Sequence, residues 1–88
     1  MKKLIISKID NYDYTLVDES RKSYNLNIEF YTRYKPQMAD IIYIDESILE
    51  EKNLFAFGEI DDNDNVDIKD IAKVVNNNKE YYFKRVYG

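Results

Sequence analysis

Eighty-eight residues make one small domain, taken here as 1–88, with room for a single core; a chain of this length buries about 60–65% of the surface its unfolded form exposes. Hydrophobic side chains at 44% and charged ones at 34% are globular rather than disordered composition. Thirteen basic and seventeen acidic groups give a net charge of −4, and cysteine, histidine and tryptophan are absent. That removes disulfides, thiolate metal sites and nucleophilic triads built on Cys or His.

Apolar runs are short. Leu4-Ile5-Ile6 lies between Lys3 and Ser7-Lys8, whereas a secretory core needs about 7–15 apolar residues and a membrane span about 20. The expectation is a cytoplasmic chain. Charge is zoned along it. Residues 1–39 carry seven basic and five acidic groups, residues 40–70 carry two and eleven, and residues 71–88 carry four and one.

Leu4 to Ile9 supplies a first strand, and Asp10-Asn11 a tight turn. Tyr12, Tyr14 and Leu16 then alternate with Asp13 and Thr15, and the polar run from Asp18 to Lys22 is turn-forming. From Ser23 to Tyr31 the period of two is unbroken: Tyr24, Leu26, Ile28 and Phe30 on one face, Asn25, Asn27, Glu29 and Tyr31 on the other. These three strands form an antiparallel meander. Beyond Pro36, Asp40 to Asp45 is a nearly continuous β-branched run that predicts a strand buried on both faces. Ser47 to Asn53 predicts one short helical turn capped by Asp45 or Ser47. Leu54 to Gly58 is a further strand.

The tail admits two readings. Ile68, Ile71 and Val75 suit a helix. Ile71 to Val75 and Glu80 to Tyr87, joined through Asn76-Asn77-Asn78, suit a hairpin, because Asn tolerates positive φ. The hairpin is favoured, with a helical turn at Ile68 to Ile71.

Five to seven short strands in so few residues must hide their edges, and closure does this. The predicted fold class is all-β and mainly antiparallel: a small OB-like closed or partly open barrel with one or two helical turns. The segment from Lys35 through Pro36 to Ile44 resembles the approach to a strand common in OB and S1-type barrels. Ala39 stands where that pattern has glycine, and alanine resists the positive φ that glycine allows. With its Tyr24–Tyr31 hairpin strand, its Asp40–Ile44 strand, its Phe57-Gly58 step and its ending from Tyr82 to Gly88, the chain also resembles small β-barrel proteins, OB/S1-like and uncharacterised, of low-GC Gram-positive bacteria. That resemblance implies a cytoplasmic barrel and no assigned activity.

The residues point away from catalysis. Paired carboxylates hydrolyse glycosides only across a cleft, which a barrel of this size lacks room to build, so the chain is read as non-enzymatic and without a cofactor. Asp61, Asn63 and Asn65 occupy the first three ligand positions of a calcium loop. Val66 stands where that loop needs glycine, however, and Ala72 where it needs glutamate. The segment is read as a solvated acidic turn and no metal is expected.

Two binding functions remain. An OB-like face would stack single-stranded nucleic acid on Tyr12, Tyr31, Tyr34 and Tyr43, with Arg21, Lys22, Arg33 and Lys35 nearby in sequence. The acidic balance opposes it. The preferred reading is a protein-interaction module or self-association, because nine tyrosines exceed what one small core hides. The expected surface is a patch around Tyr31, Tyr34 and Tyr81 with Arg33 and Lys35 beside it. The acids Asp61, Asp62 and Asp64 would face a basic partner.

Overall fold

A computed structural model describes residues 1–87. Among the described residues the strands are β1 (Lys2–Asp10), β2 (Asp13–Val17), β3 (Ser23–Tyr31), β4 (Ile41–Ile44), β5 (Phe55–Glu59), β6 (Ile71–Asn76) and β7 (Lys79–Tyr87). Two 3-10 turns lie at Glu46–Glu50 and Ile68–Asp70. The tail is therefore a hairpin preceded by a helical turn. Its two-residue connection works because Asn77 and Asn78 adopt φ of 48° and 66°, which asparagine tolerates. Asn11 does the same at the β1–β2 turn with φ 55°. The first helical turn is capped by Asp45, whose carboxylate accepts the Ser47 N–H at 3.0 Å.

Neighbouring strands run β1-β2-β3-β5-β7-β6-β4, and β4 pairs back onto β1, so the sheet closes on itself. The β3–β5 pair is parallel, and the other pairs are antiparallel. A parallel pair needs a long crossover. Here it is supplied by residues 32–54, which hold β4 and the first helical turn.

The alternation in β3 is obeyed: Leu26, Ile28 and Phe30 are buried, Tyr24 is half-buried, and Asn25, Asn27 and Tyr31 are exposed. Inside the ring, Phe30 is central. Tyr14 meets it edge-on at 5.4 Å, Phe57 stacks at 5.6 Å and Phe83 meets it at 5.8 Å between ring centroids. Such pairs add about 0.5–1.5 kcal/mol each beyond their area burial.

One expectation about burial is corrected. β4 is not buried on both faces: Ile42 and Ile44 are buried, but Ile41 and Tyr43 are half-exposed. The strand buried on both faces is β5, where Phe55, Ala56, Phe57 and Gly58 all lie out of solvent. The continuous β-branched run marked the wrong strand, because small outward residues covered by neighbours bury as thoroughly as large inward ones.

Ala39 keeps the sharp turn despite its Cβ, with φ 75°. Its N–H donates to the Ile6 carbonyl at 2.8 Å, and the Ile6 N–H donates to the Asp40 carbonyl at 2.9 Å. These bonds dock the 32–40 loop where the β1 register shifts between Ile6 and Lys8. The Asp40 carboxylate is buried and fully used. It accepts the Tyr34 hydroxyl, the Gln37 N–H at 2.9 Å and the Asn76 amide at 2.6 Å. One aspartate thus ties the crossover loop to the β6–β7 turn.

Candidate functional site

β5 carries small residues, Ala56 and Gly58, on its outward face. Glu29 and Tyr31 stand beside them on β3, opposite Ala56 and Gly58 respectively. On β7 the register shifts: Ala56 pairs with Tyr87 but Phe57 pairs with Arg85, leaving Val86 extra. A bulge of this kind re-aims side chains, and here it brings Val86 and Tyr87 out together. An atom built at the Gly58 Cβ position would lie 2.9 Å from Val86 Cγ1, so Val86 closes over that glycine.

The result is a groove of about 460 Å³ lined by Glu29, Tyr31, Leu54, Phe55, Ala56, Val86 and Tyr87. Its floor, Phe55 and Ala56, belongs to the buried core, while its walls are large apolar side chains left in water: Tyr31 59%, Leu54 40%, Val86 47% and Tyr87 67% exposed. Singly exposed apolar residues are ordinary; here four of them surround one concavity. The Tyr31 hydroxyl pKa is raised above its usual value, chiefly because the protonated hydroxyl donates a hydrogen bond to the Glu29 carboxylate. Other concavities are polar, around Lys2, Asp18 and Glu46, and around Lys8, Asp13 and Asn25.

The residues singled out in the sequence do not assemble into one patch. Tyr31 lines the groove. Tyr34 and Tyr81 stack on each other, centroids 4.0 Å apart, and pack against the core. Burial, followed by the bond to Asp40, drives the Tyr34 hydroxyl pKa far upward. Those two rings are a structural pair. Arg33 is exposed, and its backbone N–H faces Glu59 at 3.4 Å. The Lys35 ammonium donates to the Phe30 carbonyl. Asp61 and Asp62 are exposed. Asp64 is engaged: its carboxylate accepts from Lys84 Nζ at 2.6 Å and from the Asp61 N–H at 2.7 Å, and the lysine holds its pKa below the usual value. Among the described residues no group of three or more His, Cys, Asp or Glu converges as a metal site would require. Among the described residues no helix is long and apolar enough to cross a membrane.

Sequence reasoning missed Leu54, Val86, Tyr87 and Glu29 as groove residues. The sequence carries no clean signal of the slip at Val86-Tyr87, because Tyr81-Tyr82-Phe83 already set three aromatic residues side by side on β7; the extra residue shows only in the pairing of β5 with β7. Nothing in the sequence says that this slip lies beside Tyr31.

The register also aligns Lys3, Tyr43, Lys73 and Tyr82 across the outer face of β1, β4, β6 and β7. Lys73 Nζ sits 5.0 Å from the Tyr43 ring centroid, but it also pairs with Glu80 at 3.4 Å. Glu80 in turn accepts from the Tyr82 hydroxyl at 2.9 Å.

No family model matches the chain, and neither the curated proteins nor the solved structures searched contain a match.

Proposed function

We propose that this chain is a non-enzymatic protein-interaction module and that the β3–β5–β7 groove is its recognition surface. One observation carries the reading: Tyr31, Leu54, Val86 and Tyr87 ring a buried apolar floor while remaining 40–67% exposed themselves. Tyrosines at such a place contribute large rigid contact area at low entropic cost. The absence of histidine and cysteine supports a non-catalytic role. A cytoplasmic setting belongs to the same reading and is supported by a fold that uses no disulfide. So does an OB-like classification, supported by a three-strand meander followed by a strand that returns to β1.

The test places a photo-crosslinking phenylalanine analogue at Tyr31, at Tyr87, and at Ile5 as an exposed control on β1 across the ring. Protease-sensitive adducts from Tyr31 and Tyr87 but not from Ile5 are expected. Nuclease-sensitive adducts, or the same adducts from all three positions, would overturn the reading.

A second reading, single-stranded nucleic acid, is favoured only by the Lys3–Tyr43–Lys73–Tyr82 row. Alternating cations and rings suit phosphates and bases. Glu80 sits among them, which weakens the attraction. Fluorescence anisotropy with mixed single-stranded DNA and RNA at low salt decides it: affinity must fall steeply with salt and with Lys73→Ala.

A further inference from the structure

The chemistry of the groove narrows its occupant, a step that rests on the docking reading above. We propose that it takes a partner-protein segment with a large apolar side chain seated over Ala56 and a lysine or arginine on each flank. The floor fixes the anchor: Val86 closes the Gly58 end, so the open space lies over Ala56, between Tyr31, Leu54 and Tyr87.

The rims fix the flanks. Glu29 lines the groove from β3 on one side. On the other, beyond β7, Asp70 shares an adjoining hollow with Arg85, Val86 and Tyr87. Arg85 does not neutralise that side. Its guanidinium is held 2.6 Å from Glu51 and lies over the Phe55 ring at 4.7 Å. Among the described residues, neither Glu29 nor Asp70 forms an ion pair. Two carboxylates therefore flank an apolar floor.

The strand order β3-β5-β7-β6 sets their spacing. Three strand steps span on the order of 14 Å, which an extended segment covers in about four residues. The recognised pattern is thus two cations about four residues apart with the apolar anchor between them. Charge disfavours the other occupants. A second copy meeting this face about a two-fold axis would bring each patch against itself and set these acids against like charge. A phosphate backbone would meet the same repulsion.

The experiment pans a phage library of random dodecapeptides against the purified full chain and titrates the consensus as a labelled synthetic peptide. Circular dichroism verifies the fold of each variant, and sedimentation velocity reports the oligomeric state. The expected consensus is Leu, Ile, Phe or Met between two Lys or Arg. Its affinity falls at least about tenfold with Tyr87→Ala and again with Glu29→Lys plus Asp70→Lys. Wild-type affinity falls with added salt, and that of the charge variant does not. An apolar consensus without cations, or one indifferent to the charge variant, overturns this inference and leaves the groove reading standing. A consensus indifferent to Tyr31→Ala and Tyr87→Ala, or no consensus at all, overturns both. A dimer dissociated by Tyr87→Ala assigns the groove to a second copy and overturns the inference.

Discussion

Ala39 holds φ 75°, a conformation that costs an L-residue with a Cβ roughly 1–2 kcal/mol. Glycine removes that strain but adds unfolded-state entropy worth about 0.5–1 kcal/mol. The balance predicts that Ala39→Gly stabilises the fold by up to about 1 kcal/mol, read as a raised urea midpoint. Asp18 is a second residue whose role is local. It accepts from the Ser20 hydroxyl at 2.7 Å, the Ser20 N–H at 2.9 Å, the Lys22 N–H at 3.0 Å and the Tyr24 hydroxyl at 3.2 Å. The Ser20 hydroxyl is the main cause that brings its pKa from the usual 3.8 down to about 2. A carboxylate depressed in the native state stabilises above its unfolded pKa and loses that contribution as pH falls through the folded value. Melting temperature should therefore drop between pH about 4 and about 2. Asp18→Asn should be less stable than wild type at neutral pH and should lose less on acidification. Equal acid sensitivity in both proteins would remove Asp18 from this role.

At the scale of elements, period-two patterning carried most of the assignment, and β3 carries it most cleanly. Ile28 points inward and is 1% exposed. Ile28→Asp places an unpaired charge in the core and should cost about 4 kcal/mol or more, close to the whole stability of a domain this size. A cooperative, wild-type-like thermal transition in that variant would contradict the β3 register. The β6–β7 hairpin was less legible, since Ile68, Ile71 and Val75 also suit a helix; Asn77 and Asn78, which supply the left-handed turn between β-branched and aromatic flanks, favoured the hairpin. The burial of β4 was misjudged, and the two-face burial of β5 went unread, for one reason. Burial of an outward face depends on what neighbouring strands place over it, and Val86 over Gly58 comes from a strand 28 positions further along the chain.

Across the whole molecule, the acidic middle of the sequence resolves into different roles. Asp40 is a buried hydrogen-bond hub, Asp45 a cap, Glu51 and Asp64 ion-pair partners of Arg85 and Lys84, and Asp61 and Asp62 exposed charge. Reversing the loop acids together therefore confounds docking with folding. Asp61→Lys with Asp62→Lys should leave the urea midpoint unchanged, as exposed loop substitutions do. Adding Asp64→Lys sets two lysines together at Lys84 and should lower it. A midpoint unaffected by Asp64→Lys would show that the Lys84 pair contributes nothing. Closure of the ring also means that self-association has no long free edge to exploit, so a second copy must use side chains rather than strand pairing.

The sequence by itself determined the class of structure, the positions of the strands and turns, and the absence of Cys- and His-based chemistry. Those follow from alternation, turn residues and composition, all local in the chain. Tertiary structure alone decided which strands neighbour one another, and with that the site. Tyr31, Leu54 and Val86-Tyr87 lie on three separate segments. They meet only because β3 and β5 pair in parallel across a crossover and β7 bulges beside them. Tyr34 and Tyr81, equally tyrosine in sequence, pack half-buried against the core, where the first bonds to Asp40 and the second stacks on it. Alternation fixes which face of a strand turns inward, but whether an outward residue is then covered is decided by the packed neighbourhood.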